Sequence, residues 1–168
     1  MKRLILVRHA KAEPLTDAKD DFGRQLKKRG IKDVRLISDH LIGKRIVPDT
    51  IISSPAHRAL QTAQIMAGAY SIPEIEIIKL PLIYEGYTIE QFLKEIALRA
   101  RMVDSLMVVG HNPEIAMTAV QLTGDRFFNF PTTATASIVF SVSDWNQIKV
   151  GSGRTELFVF PKELKDRK

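Results

Sequence analysis

Brief apolar runs alternating with longer amphipathic stretches constrain this chain more than any other feature. Residues 3–7, 50–53, 76–80 and 105–109 are short and rich in Ile, Val and Leu, as strands buried within a sheet are. Helical patterns lie between them. Residues 24–41 place Leu26, Val34, Ile37 and Leu41 on one stripe, with Gly43 as a stop. Ser54 and Pro55 read as an N-cap and the first position of a helix carrying Leu60, Ala63, Ile65 and Met66. Residues 88–101 carry Phe92, Leu93, Ile96 and Leu98, and Asn112-Pro113 repeats the cap-then-proline signal before a helix through Leu122. This rhythm predicts an α/β fold, a three-layer sandwich with a mainly parallel sheet and helices on both faces. The last third changes character. Residues 136–142 and 155–160 read as strands joined through Gly151 and Gly153, which adds one antiparallel strand. With no repeat, linker or low-complexity segment, residues 1–168 are expected to form a single domain.

Cysteine is absent, and a hydrophobic fraction of 45% suffices for a core that needs neither disulfides nor a structural metal. No apolar stretch reaches membrane-spanning length, and Arg8-His9 interrupts the first apolar run too early for a signal peptide. A cytoplasmic location and no membrane partner are therefore expected. The formal charge of +6 raises the question of nucleic acid. Its cations are scattered, however: Lys27-Lys28-Arg29, Lys44-Arg45, Arg99, Arg101 and the tail at 162–168. Aromatics do not interleave with them as a stacking platform requires, so no nucleic-acid partner is expected. A positive field also attracts phosphorylated substrates.

Ligands of open α/β sheets bind beyond the carboxyl ends of the strands. Three of these runs end in residues suited to the same chemistry. They are Val7-Arg8-His9, then Ser53-Ser54-Pro55-Ala56-His57-Arg58, then Val109-Gly110-His111. Together they bring histidine and arginine to one edge, a cationic pocket of phosphoryl size. Arg58 falls in the first turn of its helix, where the dipole is already positive and arginine is locally disfavoured. A bound anion would relieve that conflict, and so would a surface carboxylate. His40 lies mid-helix, away from every strand end, and reads as an ordinary packed histidine. His57 neighbours Arg58 but faces elsewhere on the helix, a flank of the site. The histidines lack ligand-pair spacing, so neither a metal nor a cofactor is expected. Other phosphate machinery is missing: no cysteine nucleophile, no Gly-x-x-x-x-Gly-Lys loop and no paired aspartates for magnesium. Histidine remains as the nucleophile.

Arg8-His9, Ser54-Pro55 with Arg58 and Thr62, and Gly110-His111-Asn112-Pro113 occur in this order at strand ends. That pattern resembles the histidine phosphatase (phosphoglycerate mutase-like) superfamily. The short chain and the Leu82-Ile83-Tyr84-Glu85 segment are most similar to its SixA-like phosphohistidine phosphatases. The chain departs from the pattern at Ala10, where the family usually has glycine. The resemblance implies that neutral His9 attacks phosphorus and becomes a phosphohistidine. It implies that Arg8, Arg58 and His111 bind and stabilise the phosphoryl oxygens, with Asn112 beside them. Glu85 is implied as the group that protonates the leaving group and then activates water. Arg24, which follows Gly23, is a candidate substrate contact.

Relatives with a lid carry a large insertion, whereas residues 68–104 here must hold a strand, the Glu85 loop and a helix. Residues 10–22 can cover the pocket only in part. An open site suits a phosphorylated side chain on another protein, so protein phosphohistidine is the expected substrate. A small phosphorylated metabolite is the alternative. A non-catalytic anion- or RNA-binding module on the same fold is a third, which needs no free imidazole nucleophile.

Overall fold

The computed structural model describes residues 1–127 and 129–167. Lys168, the last residue of the basic tail, lies outside them. Six strands form one sheet: β1 (Lys2–Arg8), β2 (Thr50–Ser53), β3 (Ile78–Lys79), β4 (Ser105–Gly110), β5 (Thr135–Phe140) and β6 (Arg154–Val159). Their order is β3-β2-β4-β1-β5-β6. Pairings from β3 to β1 are parallel, and β5 runs antiparallel to both β1 and β6. The sheet therefore contains the single antiparallel strand expected. The helices are α1 (Lys28–Gly43), α2 (His57–Ala69), α3 (Leu82–Glu85), α4 (Ile89–Arg99), α5 (Glu114–Thr123) and α6 (Pro161–Lys165).

Alternation along the central strands builds the three layers, because successive strand side chains point to opposite faces. Leu4, Leu6, Leu106 and Val108 pack with Ile83, Phe92, Ile96 and Ile115 from α3, α4 and α5. Ile5, Val7, Met107 and Val109 pack on the other face with Val34, Ile37, Ala63, Met66 and Leu164 from α1, α2 and α6. Both faces are covered, which explains why β1 and β4 read as continuous apolar runs. Burial of each large side chain such as Phe92 contributes about 1.5–3 kcal/mol. Among the described residues, no helix is long and apolar enough to cross a membrane.

Three local expectations change. The first helix begins at Lys28 and not near Arg24, because the preceding backbone bonds sideways to the loop after β1. Glu13 N–H donates to Gln25 O, Lys27 N–H donates to Lys11 O, and Ala12 pairs with Leu26. Gly30 permits this approach, since a Cβ there would come within 2.3 Å of Lys11 O. Ser54 does not cap α2, which starts two residues beyond Pro55 with Ala56 at its N-cap. Asn112 does not cap α5: the cap position is Pro113, without a side-chain bond, and the Asn112–Pro113 peptide is cis. Both side chains are drawn into the site instead.

Candidate active site

Parallel pairing of β1 with β4 places Arg8 opposite Gly110, and His9 N–H donates to Gly110 O at 3.0 Å. His9 and His111 thus leave adjacent strands side by side, with ring centroids 5.2 Å apart. Ser54 joins them because its backbone N–H donates to Val109 O where β2 runs beside β4. Gly110 is required by this crowding. A Cβ there would meet Ile83 and Ile115 side chains at 2.8–2.9 Å, where the end of β4 passes under α3 and α5.

His9 is buried, with 7% of its surface exposed. Its Nδ1 lies 2.8 Å from Ala10 O. A carbonyl only accepts, so Nδ1 carries the ring proton and Nε2 keeps its lone pair. Burial pushes the His9 pKa down to about 3. The Ala10 bond opposes that shift, and the charges of His111, Arg58 and Arg8 add to it. Ala10 itself has no left-handed φ, so the alanine that replaces the family's glycine is unstrained. Its N–H donates to Thr62 Oγ1 at 3.0 Å, and Thr62 in turn donates to Arg58 O.

His111 Nε2 pairs with Ser54 Oγ at 2.8 Å, while that hydroxyl also accepts the Ala56 N–H. Burial first, and then the charge of Arg58, hold the His111 pKa down to about 4. Arg8 donates from Nη1 to Phe130 O, which also accepts from Asn112 Nδ2. Asn112 therefore braces Arg8 through a shared carbonyl. The turn beyond Phe130 closes on the same strand, since Thr133 N–H donates to both Arg8 O and His9 O. Arg58 is 6% exposed and donates Nη1 to Asp21 O at 2.7 Å and Nη2 to Asp21 Oδ2 at 3.1 Å. The conflict at the α2 N-terminus is thus met by a carboxylate from the loop after β1.

Among the described residues, buried polar atoms without a hydrogen-bond partner include Arg8 Nε, Arg58 Nε, His111 Nδ1, Asn112 Oδ1 and Thr133 Oγ1 in this region, and Tyr70 Oη and Ser105 Oγ elsewhere. With the buried guanidinium of Arg58, the half-buried one of Arg8 and two neutral imidazoles, the arrangement suits a compact, multiply charged anion.

Of the residues singled out from sequence, Arg8, His9, Arg58 and His111 meet here, with Asn112 behind Arg8. Arg24 reaches the rim, donating Nε to Glu13 O and Nη1 to Asp21 Oδ1. Glu85 ends α3, exposed and without a side-chain hydrogen bond among the described residues. Its neighbour Tyr84 packs its ring edge-on against His111 and donates its hydroxyl to Asp21 Oδ2. His57 is exposed beside the loop, with Gln25 and Phe22 against it. Asp21 and the Ser54 hydroxyl escaped the sequence reading. The Asp21–Arg24 spacing hints at a local pair, but nothing in the chain signals that Asp21 also reaches Arg58 and Tyr84.

The histidine phosphatase superfamily (branch 1) model matches residues 4–86. No curated protein matches the chain. Among solved structures, a phosphohistidine phosphatase SixA assignment from Agrobacterium tumefaciens is 31% identical, with a TM-score of 0.77 over 95% of this chain and 98% of that one. The protein histidine phosphatase SixA complexed with tungstate is 24% identical, with a TM-score of 0.81 over 96% and 99%. A third SixA assignment, from Nakamurella multipartitia, is 23% identical at a TM-score of 0.82 over 95% and 96%. This similarity runs through the whole sheet and both helical layers, and the chain belongs to the histidine phosphatase superfamily.

Proposed function

We propose that this protein is a phosphatase that moves a phosphoryl group from phosphohistidine on another protein to His9 Nε2, and then to water. The observation that carries this reading is the His9 ring. Its proton is committed to Ala10 O, and its low pKa keeps Nε2 unprotonated across the physiological range. The nucleophile therefore needs no separate base.

In the first step Nε2 attacks phosphorus opposite the carrier nitrogen. The phosphorus–nitrogen bond to the carrier breaks as the bond to His9 forms, and the departing imidazole takes a proton from water. In the second step water attacks phospho-His9, inorganic phosphate leaves, and the lone pair returns to Nε2. Glu85 accepts the proton that this water gives up. Arg8, Arg58 and His111 stabilise negative charge on the transferring oxygens. Asn112 acts through Arg8, and Arg24 acts through Asp21 on Arg58. The guanidinium groups supply the positive charge that magnesium supplies in other phosphoryl-transfer enzymes, so the reaction is assigned no metal.

The access route supports this substrate class. The chain between β3 and β4 is occupied by α3 and α4, with no inserted lid, so a side chain presented by a protein surface can enter. The 31% identical relative carries the phosphohistidine phosphatase name. Rapid quenching without acid, with isotopically labelled phosphohistidine protein, should trap label on His9, and EDTA should leave turnover intact. Label that never appears on His9 during turnover overturns the mechanism. Loss of activity in EDTA, restored by a divalent ion, overturns the metal-free assignment. A strong preference for alkyl phosphates moves the substrate to a small metabolite.

A further inference from the structure

We infer that Asp21 is a built-in selectivity residue: a fixed carboxylate at the site's rim that disfavours substrates carrying a second anionic group beside the phosphoryl. The site thereby favours phosphoryl groups on uncharged or cationic carriers, of which an imidazole is one. This deepens the reading of His9 as the phosphoryl acceptor and rests on it.

Four hydrogen bonds from side-chain donors fix the position of Asp21. Oδ2 accepts from Arg58 Nη2 at 3.1 Å and from the Tyr84 hydroxyl at 2.9 Å. Oδ1 accepts from Arg24 Nη1 at 3.1 Å, and the main-chain carbonyl accepts from Arg58 Nη1 at 2.7 Å. The neighbouring Phe22 ring sits edge-on between Tyr84 and His57, at 5.2 and 5.7 Å between centroids. The carboxylate bridges three elements, and those donors hold its pKa down to about 2 against the effect of its partial burial. It is ionised wherever the protein works.

The geometry has a consequence for ligands. Both terminal nitrogens of Arg58, and one of Arg24, are already bonded to Asp21. A second carboxylate or phosphate on a small substrate would seek these same arginines, which are the cations of the rim. It would meet a charge of its own sign in place and would have to break the Asp21 bonds. Asp21's side chain is 44% exposed, whereas that of Arg58 is 7% exposed. The aspartate, not the arginine, is thus what an approaching ligand meets on that side. A phosphoryl group without a second anion meets less conflict, since Arg8, His111 and the Nε of Arg58 are not bonded to Asp21.

The test compares ethyl phosphate with 2-phosphoglycolate, a near-isosteric pair differing in one carboxylate, by calorimetric titration of the wild-type protein and Asp21→Asn. Asparagine keeps the size of the side chain and one oxygen to accept from Arg58 and Tyr84. The wild type should bind ethyl phosphate more tightly. Asp21→Asn should strengthen phosphoglycolate binding by about tenfold relative to ethyl phosphate, the scale of removing one nearby like charge. The difference should shrink at high salt. Equal gains for both ligands would make Asp21 a nonselective repeller and overturn the inference. Equal losses would make it only a support for Arg58, and overturn it too. Binding requires no turnover, so this result is separate from the labelling of His9. A protein that never forms phospho-His9 fails the earlier reading, whichever ligand it prefers.

Discussion

Arg8, His9 and His111 stand on the ends of β1 and β4, whereas Asp21, Phe22 and Arg24 reach the same site from the loop between Ala12 and Leu26. The first group is set by strand register, with His9 and His111 buried and Arg8 half-buried in the floor. The second is half-exposed and held by side-chain bonds. Moving a floor residue means breaking main-chain pairs inside a packed sheet. Moving a rim residue means breaking contacts each worth about 1 kcal/mol or less at a surface. The floor is therefore where preorganised chemistry can be built, and the rim is where selection between substrates can be tuned without disturbing it.

The largest effect should come from the floor. His9→Ala should abolish labelling and reduce kcat by at least about 10⁴-fold, as loss of a nucleophile does. Full turnover by this variant would move the chemistry off β1 altogether. Arg58→Ala comes next, because Arg58 joins floor to rim. A loss of about 10²–10³-fold in kcat is expected, the scale of a lost charge stabiliser. Arg58→Lys should rescue little, since one ammonium cannot meet both the Asp21 carbonyl and its carboxylate. Good rescue would reduce Arg58 to a point charge.

Glu85→Gln separates leaving groups. Single-turnover phosphorylation of His9 by an alkyl phosphate should slow about 100-fold, because an alkoxide needs a proton as it leaves. Phosphohistidine should lose much less, since imidazole is a far better leaving group. Equal losses would assign Glu85 to binding.

The smallest expected effect distinguishes the two regions by pH. His9 and His111 have folded pKa values near 3 and 4, below the ordinary value of 6.5. Between these limits the unfolded chain binds more protons, so stability falls as pH drops from 6.5 towards 3, by about 2 kcal/mol or more. Asp21 shifts from an ordinary 3.8 down to about 2, so its contribution is present above pH 3.8 and fades only as pH falls towards 2. Denaturant titrations across pH should show the upper slope flattened in a His9→Asn/His111→Asn double variant and unchanged in Asp21→Asn. An upper slope that survives the double variant would place the acid sensitivity elsewhere.

Much of the floor was legible in the chain because strands carry local signals. A short Ile/Val run followed at once by Arg8-His9, and another followed by Gly110-His111, place those side chains at one sheet edge wherever the strands pair in parallel. The alternation that builds two cores is likewise a local property of β1 and β4. Tertiary structure decided the rest. Residues 24–27 have a helical pattern, yet their backbone bonds to the loop at 11–13, a partner the local pattern does not specify. Ser54 and Asn112 look like caps, but His111 and Phe130 O offer better partners once β4 and the turn before β5 are in place. Asp21 is the extreme case. It is one of several acidic residues in a polar loop until Arg58, 37 positions away, and Tyr84, 63 away, converge on its carboxylate. Strand ends depend on hydrogen bonding that repeats along the chain, so sequence alone determines them well. A rim carboxylate depends on side chains brought together from three separate elements, which only the folded packing can choose.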